Sequence, residues 1–299
     1  MSSSPTVSVI CLTYNHEKYV EEALKGFICQ ETSFPVQFLI GDDVSTDSTR
    51  EIVSRYAALD SRIKPFFRES NMGPVPNAFD LLNSQESDFV AVCDGDDFWT
   101  DPLKLQKQVD YMRSHPEASL CFHLITELDQ TTGLSEVNSP FRFASESSRS
   151  EQRFSYKDLV DCNFIASVSV LWRWQYAKGH APRGLLKNRN LGDYPIHLIH
   201  AFKGEIAFIK ENMATYRKHG SGVWSLQVSK KARRRQAVEL LNAFWLAANE
   251  PRNPHVGLLL DRIKGIYDSP EIFFWPRLKR QSARIARYGL RKLRHLLRR

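Results

Sequence analysis

The chain has 299 residues, of which 42% are hydrophobic and 25% charged, and a formal net charge of +7 at pH 7. This is ordinary for a soluble globular protein, and the length suits one large α/β domain with an appendage or two small domains. Cys11, Cys29, Cys93, Cys121 and Cys162 are odd in number, widely spaced and lack any CxxC, so neither a zinc site nor a disulfide framework is indicated. No run reaches the ~18 to 20 apolar residues of a membrane span. Met1 to Thr6 lacks the basic residues of a signal peptide, so the chain reads as cytoplasmic.

Val7 to Leu12 is a buried first strand that ends at Thr13-Tyr14-Asn15. Tyr19, Val20, Ala23, Leu24, Phe27 and Ile28 recur at helical spacing, which predicts an amphipathic helix with Asn15 or His16 near its cap. Val36 to Ile40 is a second strand, ending in Gly41-Asp42-Asp43-Val44-Ser45-Thr46-Asp47-Ser48-Thr49. A helix bearing Ile52, Val53, Tyr56 and Ala57 follows it. Ile63 to Phe67 is a third strand, and Ala78, Leu81 and Leu82 mark a third helix. Phe89 to Cys93 is a fourth strand, and it runs straight into Asp94-Gly95-Asp96-Asp97.

Alternating strands and helices with short connections imply a mostly parallel sheet flanked by helices. Both acidic clusters then fall at carboxyl ends of strands, the edge where such sheets bind ligands. Carboxylates this close repel unless one takes a proton or a cation sits among them. Oxygen-only donors suit Mg2+ or Mn2+. The bland reading is a solvated acidic turn. A calcium EF-hand loop fails, because its glycine position holds Trp99 and an oxygen-ligand position holds Phe98.

Pro102 fits the first turn of a helix continued by Leu105, Val109 and Met112. Leu120 to Ile125 is a strand, residues 127–153 read as a polar loop region with short strands, and Ile165 to Trp172 is strand-like. Lys187 to Asn190 is a basic loop. Leu191-Gly192-Asp193-Tyr194-Pro195 opens a helix carrying Ile196, Ile199 and His200. His197 and His200 lack a third ligand and read as surface and core decoration. Glu205 to Ile209 is a strand, Met213 to Lys218 leads to His219-Gly220-Ser221-Gly222, and beyond Val223 the pattern is helical.

Four pieces in order carry a resemblance: the strand into Thr13-Tyr14-Asn15, the Gly41 to Thr49 segment, Asp94-Gly95-Asp96-Asp97, and Gly192-Asp193 with Tyr216 to Gly222. Together they resemble glycosyltransferase family 2, over roughly residues 5 to 222. The resemblance implies a GT-A fold, an α/β domain for nucleotide-sugars, in residues 1–222, with residues 223–299 as a helical extension. It also implies that Thr13, Tyr14, Asn15, Asp43, Asp94, Asp96 and Arg217 contact the nucleotide-sugar. Among these, Asp43 accepts from the pyrimidine base, Tyr14 stacks on it, and Arg217 pairs with phosphate oxygens. Asp96, Asp97 and His219 are implied for a divalent metal, Mn2+ or Mg2+, with Asp97 as the direct ligand. Asp193 matches the catalytic base, whose alternative reading is a helix cap, and Asp47 reads mainly as a cap.

The implied reaction moves a sugar from a UDP- or dTDP-sugar to a glycan or lipid-linked acceptor with inversion, in bacterial surface polysaccharide synthesis. Transfer to polyprenyl phosphate and a silent sugar-nucleotide-binding module are the alternatives. Two departures from the pattern stand out. The Gln-x-x-Arg-Trp signature of processive synthases is absent, and Val44 replaces the usual glycine after the second aspartate. Residues 277–299 hold ten Lys or Arg and no acid, against 31 basic and 34 acidic residues in the rest. Their apolar stripe (Leu278, Ile285, Leu293, Leu296) makes a basic amphipathic helix suited to an anionic membrane surface. A helix packed on the body is the alternative, and no nucleic-acid motif accompanies the charge.

Overall fold

A computed structural model describes residues 4–140, 154–181, 192–220, 257–259, 261 and 262. The described elements run β1 (Val7–Thr13), α1 (Val20–Ile28), β2 (Val36–Asp42), α2 (Thr49–Leu59), β3 (Ile63–Phe67), α3 (Pro74–Ser84), β4 (Phe89–Val92), β5 (Phe98–Trp99) and α4 (Lys104–Ser114). They continue with β6 (Ala118–Asp129), β7 (Ser135–Asn138), α5 (Tyr156–Asp161), a 3-10 turn (Ser167–Ser169), β8 (Leu171–Arg173), α6 (Tyr194–Ala201) and β9 (Glu205–Lys218).

These strands form one sheet in the order β3-β2-β1-β4-β8-β6-β9-β5, with β7 hydrogen-bonded to β6. The first four strands are parallel, as the strand-helix alternation predicts. Around β8 the sheet turns mixed: β8 is antiparallel to β4 and β6, while β6 and β9 are parallel. The expected α/β architecture is therefore present. The expected basic loop and most of residues 223–299, including 277–299, lie outside the described residues.

Strand alternation builds two cores. Val9 and Cys11 join Phe27, Phe38, Val53 and Trp99 on one face. Ile10 joins Val90, Phe122, Trp172 and Tyr194 on the other. Phe27 stacks on Phe38 with ring centroids 4.9 Å apart and meets the edge of Trp99 at 5.1 Å, which anchors α1 over β2. Truncating one of these buried rings to alanine costs ~3–5 kcal/mol.

Register sets the site. Thr13 lies opposite Asp42, and Ile10 opposite Val92, so β1, β2 and β4 end at one edge of the sheet. The Asp43 N–H donates to the Thr13 carbonyl at 3.0 Å, and the Gly95 N–H to the Leu12 carbonyl at 2.9 Å. Both acidic segments are thus tied to the end of β1. A Cβ at Gly95 would lie 2.6 Å from Thr13 Cγ2 and 3.0 Å from His16 Nδ1, so the approach of this loop needs glycine.

Candidate active site

A cavity of about 430 Å³ opens at that edge, lined by Tyr14, Asp43, Asp94, Asp96, Asp193 and Arg217 among others. Residues from four separate sequence segments meet there, as the resemblance implies.

The Asp43 carboxylate is 4% exposed and accepts the Met72 and Gly73 N–H groups, each at 2.8 Å, one on each oxygen. Each oxygen keeps a second lone pair for a further donor. Tyr14 is 49% exposed on the cavity wall. Thr13 and Asn15 make hydrogen bonds within the loop itself. The Thr13 hydroxyl donates to Asp42 at 3.0 Å, and Asn15 Oδ1 accepts the Thr46 N–H at 2.8 Å. Asp42 is fully buried and also pairs with Arg50 and Ser45. Asp47 accepts from the N–H groups of Glu17 and Thr49, each at 3.0 Å, matching its structural reading.

Two residues of this loop have left-handed backbone: Asn15 at φ 56° and Val44 at φ 67°. Asparagine tolerates that region, whereas a β-branched side chain is strained there. The glycine expected at position 44 is the residue this conformation favours.

Asp94 and Asp96 line the cavity, but Asp97 does not. Asp97 is 3% exposed, and its Oδ1 accepts the Arg217 N–H at 2.8 Å. The cavity-facing acids are Asp94 and Asp96, whereas Asp97, which the motif implies as the direct metal ligand, lies behind the lining. Burial, then the charges of Asp96 and Asp193, push the Asp94 carboxyl up to about 7. Burial and the Asp96 charge hold Asp97 well above the usual carboxylate range. Burial also raises Asp96, but the His219 hydrogen bond and the charges of His16 and His219 outweigh it and leave Asp96 low.

His219 Nε2 lies 3.0 Å from Asp96 Oδ2, and its ring packs 4.8 Å from Tyr19. His16 Nε2 approaches the same oxygen at 3.9 Å. The sequence reading missed His16, because its partner is 80 positions away. Among the described residues no three His, Cys, Asp or Glu side chains form a ready metal cage. Mg2+ and Mn2+ sites on diphosphates do not need one, since one or two carboxylates and the phosphates suffice. The two cavity-facing carboxylates, Asp94 and Asp96, therefore fit such an ion.

Arg217 is 3% exposed. Its guanidinium lies between the Tyr19 and Phe98 rings, 4.9 Å from each centroid. It donates to the Asp96 carbonyl at 2.9 Å and pairs with Glu22. The fork expected for phosphate is thus engaged in holding the acidic loop.

Asp193 stands at the start of α6 without a side-chain cap hydrogen bond, so the capping alternative is not what this carboxylate does. Its Oδ2 lies 3.3 Å from His197 Nε2, and its Oδ1 accepts from Asn163 Nδ2 at 3.5 Å. Burial would raise its carboxyl. The neighbouring His197 and the Ser167 hydroxyl outweigh burial and hold it below the ordinary value. His197 and His200 are both fully buried, so the surface part of their expected role does not hold.

Residues 8–175 match the family described as Glycosyl transferase family 2. The chain belongs to glycosyltransferase family 2. An uncharacterized protein of Mycobacterium tuberculosis is 37% identical over 219 residues, covering 73% of this family 2 chain and 60% of the relative's own length. A Bacillus subtilis protein named for teichuronic acid biosynthesis, TuaG, is 37% identical over 109 residues, 36% of this chain and 42% of TuaG. Two solved structures share the fold, which is GT-A. Staphylococcus aureus TarS in complex with UDP-GlcNAc aligns with TM-score 0.60 at 17% identity over 90% of this chain and 73% of that one. The mannosyltransferase PcManGT of Pyrobaculum calidifontis, in complex with GDP-Man and Mn2+, aligns with TM-score 0.57 at 14% identity over 97% and 87%.

Proposed function

We propose that this chain is a metal-assisted, inverting glycosyltransferase acting on a UDP- or dTDP-sugar, with a glycan or lipid-linked glycan as acceptor. One observation carries the reading: Asp43, Asp94, Asp96 and Asp193, drawn from two loops and a helix start, line one cavity. TarS and PcManGT, complexed with UDP-GlcNAc and with GDP-Man and Mn2+, support a nucleotide-sugar donor and a divalent ion. The TuaG name supports bacterial surface polysaccharide as the setting.

In this reading Asp43 accepts the imino N–H of a pyrimidine base through its remaining lone pairs, and Tyr14 stacks on that base. Asp94 and Asp96 hold the metal, with His219 and His16 orienting Asp96. When bound, the ion neutralises charge building on the departing diphosphate. Asp193 takes the proton of the acceptor hydroxyl as the hydroxyl oxygen attacks the anomeric carbon. The bond from that carbon to the diphosphate breaks on the opposite side, and the anomeric centre inverts. Among the described residues no helix is long and apolar enough to cross a membrane. A cytoplasmic enzyme docked on the membrane through the basic residues 277–299 would meet a lipid-linked acceptor.

The test is product analysis. Wild type with Mn2+ should release UDP or dTDP from one nucleotide-sugar in a panel, and an α-linked donor should give a β-linked product. A retained anomeric configuration would contradict single displacement.

A further inference from the structure

Asp193 and His197 are four residues apart on α6, so their side chains share one face of the helix. His197 is fully buried, and Trp172 beneath it is 1% exposed. Trp172 Nε1–H donates to His197 Nδ1 at 3.2 Å. An indole nitrogen only donates, so Nδ1 must present its lone pair and the imidazole proton must sit on Nε2. That nitrogen is the one 3.3 Å from Asp193 Oδ2, a close approach that is not an aligned hydrogen bond in this structure. A second proton on the ring would set an N–H against the indole N–H, so Trp172 also opposes the imidazolium.

We propose that His197, locked by Trp172 as the neutral Nε2–H tautomer, is the positioning residue for Asp193. This rests on Asp193 being the base proposed above. A neutral N–H aims the carboxylate without neutralising it, whereas an imidazolium would draw off the basicity that attack requires. Asn163 steadies the other carboxylate oxygen at 3.5 Å. Ser167, the Asp94 carboxylate and Tyr216 also act on Asp193. His200, itself beside Lys203, also neighbours His197. No proton is stored on His197: the acceptor proton goes to Asp193 and then to solvent.

The tautomer is read without substrate, by imidazole nitrogen NMR of the full chain at neutral pH. The Nε2–H signature in wild type, and its loss or mixing in W172F, is the expected result. An Nδ1–H tautomer or an imidazolium in wild type overturns the proposal, as does an unchanged signature in W172F.

Turnover is read as UDP release from UDP-glucose and UDP-N-acetylglucosamine with Mn2+. H197L should lose about 10²-fold in kcat with little change in KM, and H197Q, whose amide still donates, should recover most of it. Equal turnover of H197L and wild type, or equal loss in H197L and H197Q, overturns the positioning role. Failure of the functional reading looks different: wild type releases no UDP and gains no stability from UDP with Mn2+. In that case the role assigned here to Asp193 falls with it, whatever the tautomer.

Discussion

The Arg217 N–H donates to Asp97 Oδ1 across 2.8 Å, joining the end of β9 to the acidic loop that follows β4. The bond spans 120 residues and ties the Asp97 carboxylate to the backbone of β9.

Asp97 variants test that tie. In D97N the amide oxygen still accepts from Arg217, so unfolding by urea in EDTA should change little. D97A leaves the buried Arg217 N–H without a partner and should cost ~1–3 kcal/mol. Equal destabilisation in both variants would contradict this assignment.

Val44 should prefer to be glycine. At φ 67° a side chain costs ~1–2 kcal/mol, which exceeds the ~0.5–1 kcal/mol of backbone entropy that glycine loses on folding. V44G should therefore be more stable than V44A, the reverse of the order at an extended strand residue. The two denaturation midpoints check it.

Lys104 makes stability depend on pH. Its ammonium is fully buried, 2.7 Å from Gln108 Oε1 and 4.1 Å above the Trp99 ring, and burial lowers its pKa to about 7. Between about 7 and the ordinary lysine value of 10.5 the unfolded chain holds this proton and the folded chain does not. Stability therefore rises with pH across that window, by ~1.4 kcal/mol per unit in its middle. K104M should remove this slope and gain stability mainly below pH 7. Parallel pH curves for wild type and K104M would contradict it.

The centre of the parallel half was legible in the sequence because β1 and β4 are buried on both faces and read as apolar runs, Phe89 to Val92 unbroken and Val7 to Leu12 interrupted only by the buried Ser8. The mixed half was not. β9 looked like two pieces, because Lys210, Glu211 and Asn212 face solvent where its register against β6 shifts. β5 has two residues and no periodicity to detect. The stretch read as a strand from Ile165 begins with a 3-10 turn, where the Ser169 hydroxyl bonds the Ala166 carbonyl at 2.7 Å. Motif spacing brought the acids and Asp193 to one cavity, but it could not tell which acid faces inward. The Asp193–His197 interval of four residues was the visible signal for a paired base.

The most direct test of the central claim is thermal stabilisation by UDP and dTDP, with and without Mn2+, in wild type and D96N. A nucleotide bound only by the folded state at ~100 times its dissociation constant adds ~2.7 kcal/mol. The expected result is a Mn2+-dependent rise in midpoint for wild type with at least one of the two nucleotides, lost in D96N. No shift with either nucleotide in wild type at saturation would contradict a pyrimidine nucleotide-sugar site, and an undiminished shift in D96N would contradict Asp96 as a holder of the metal.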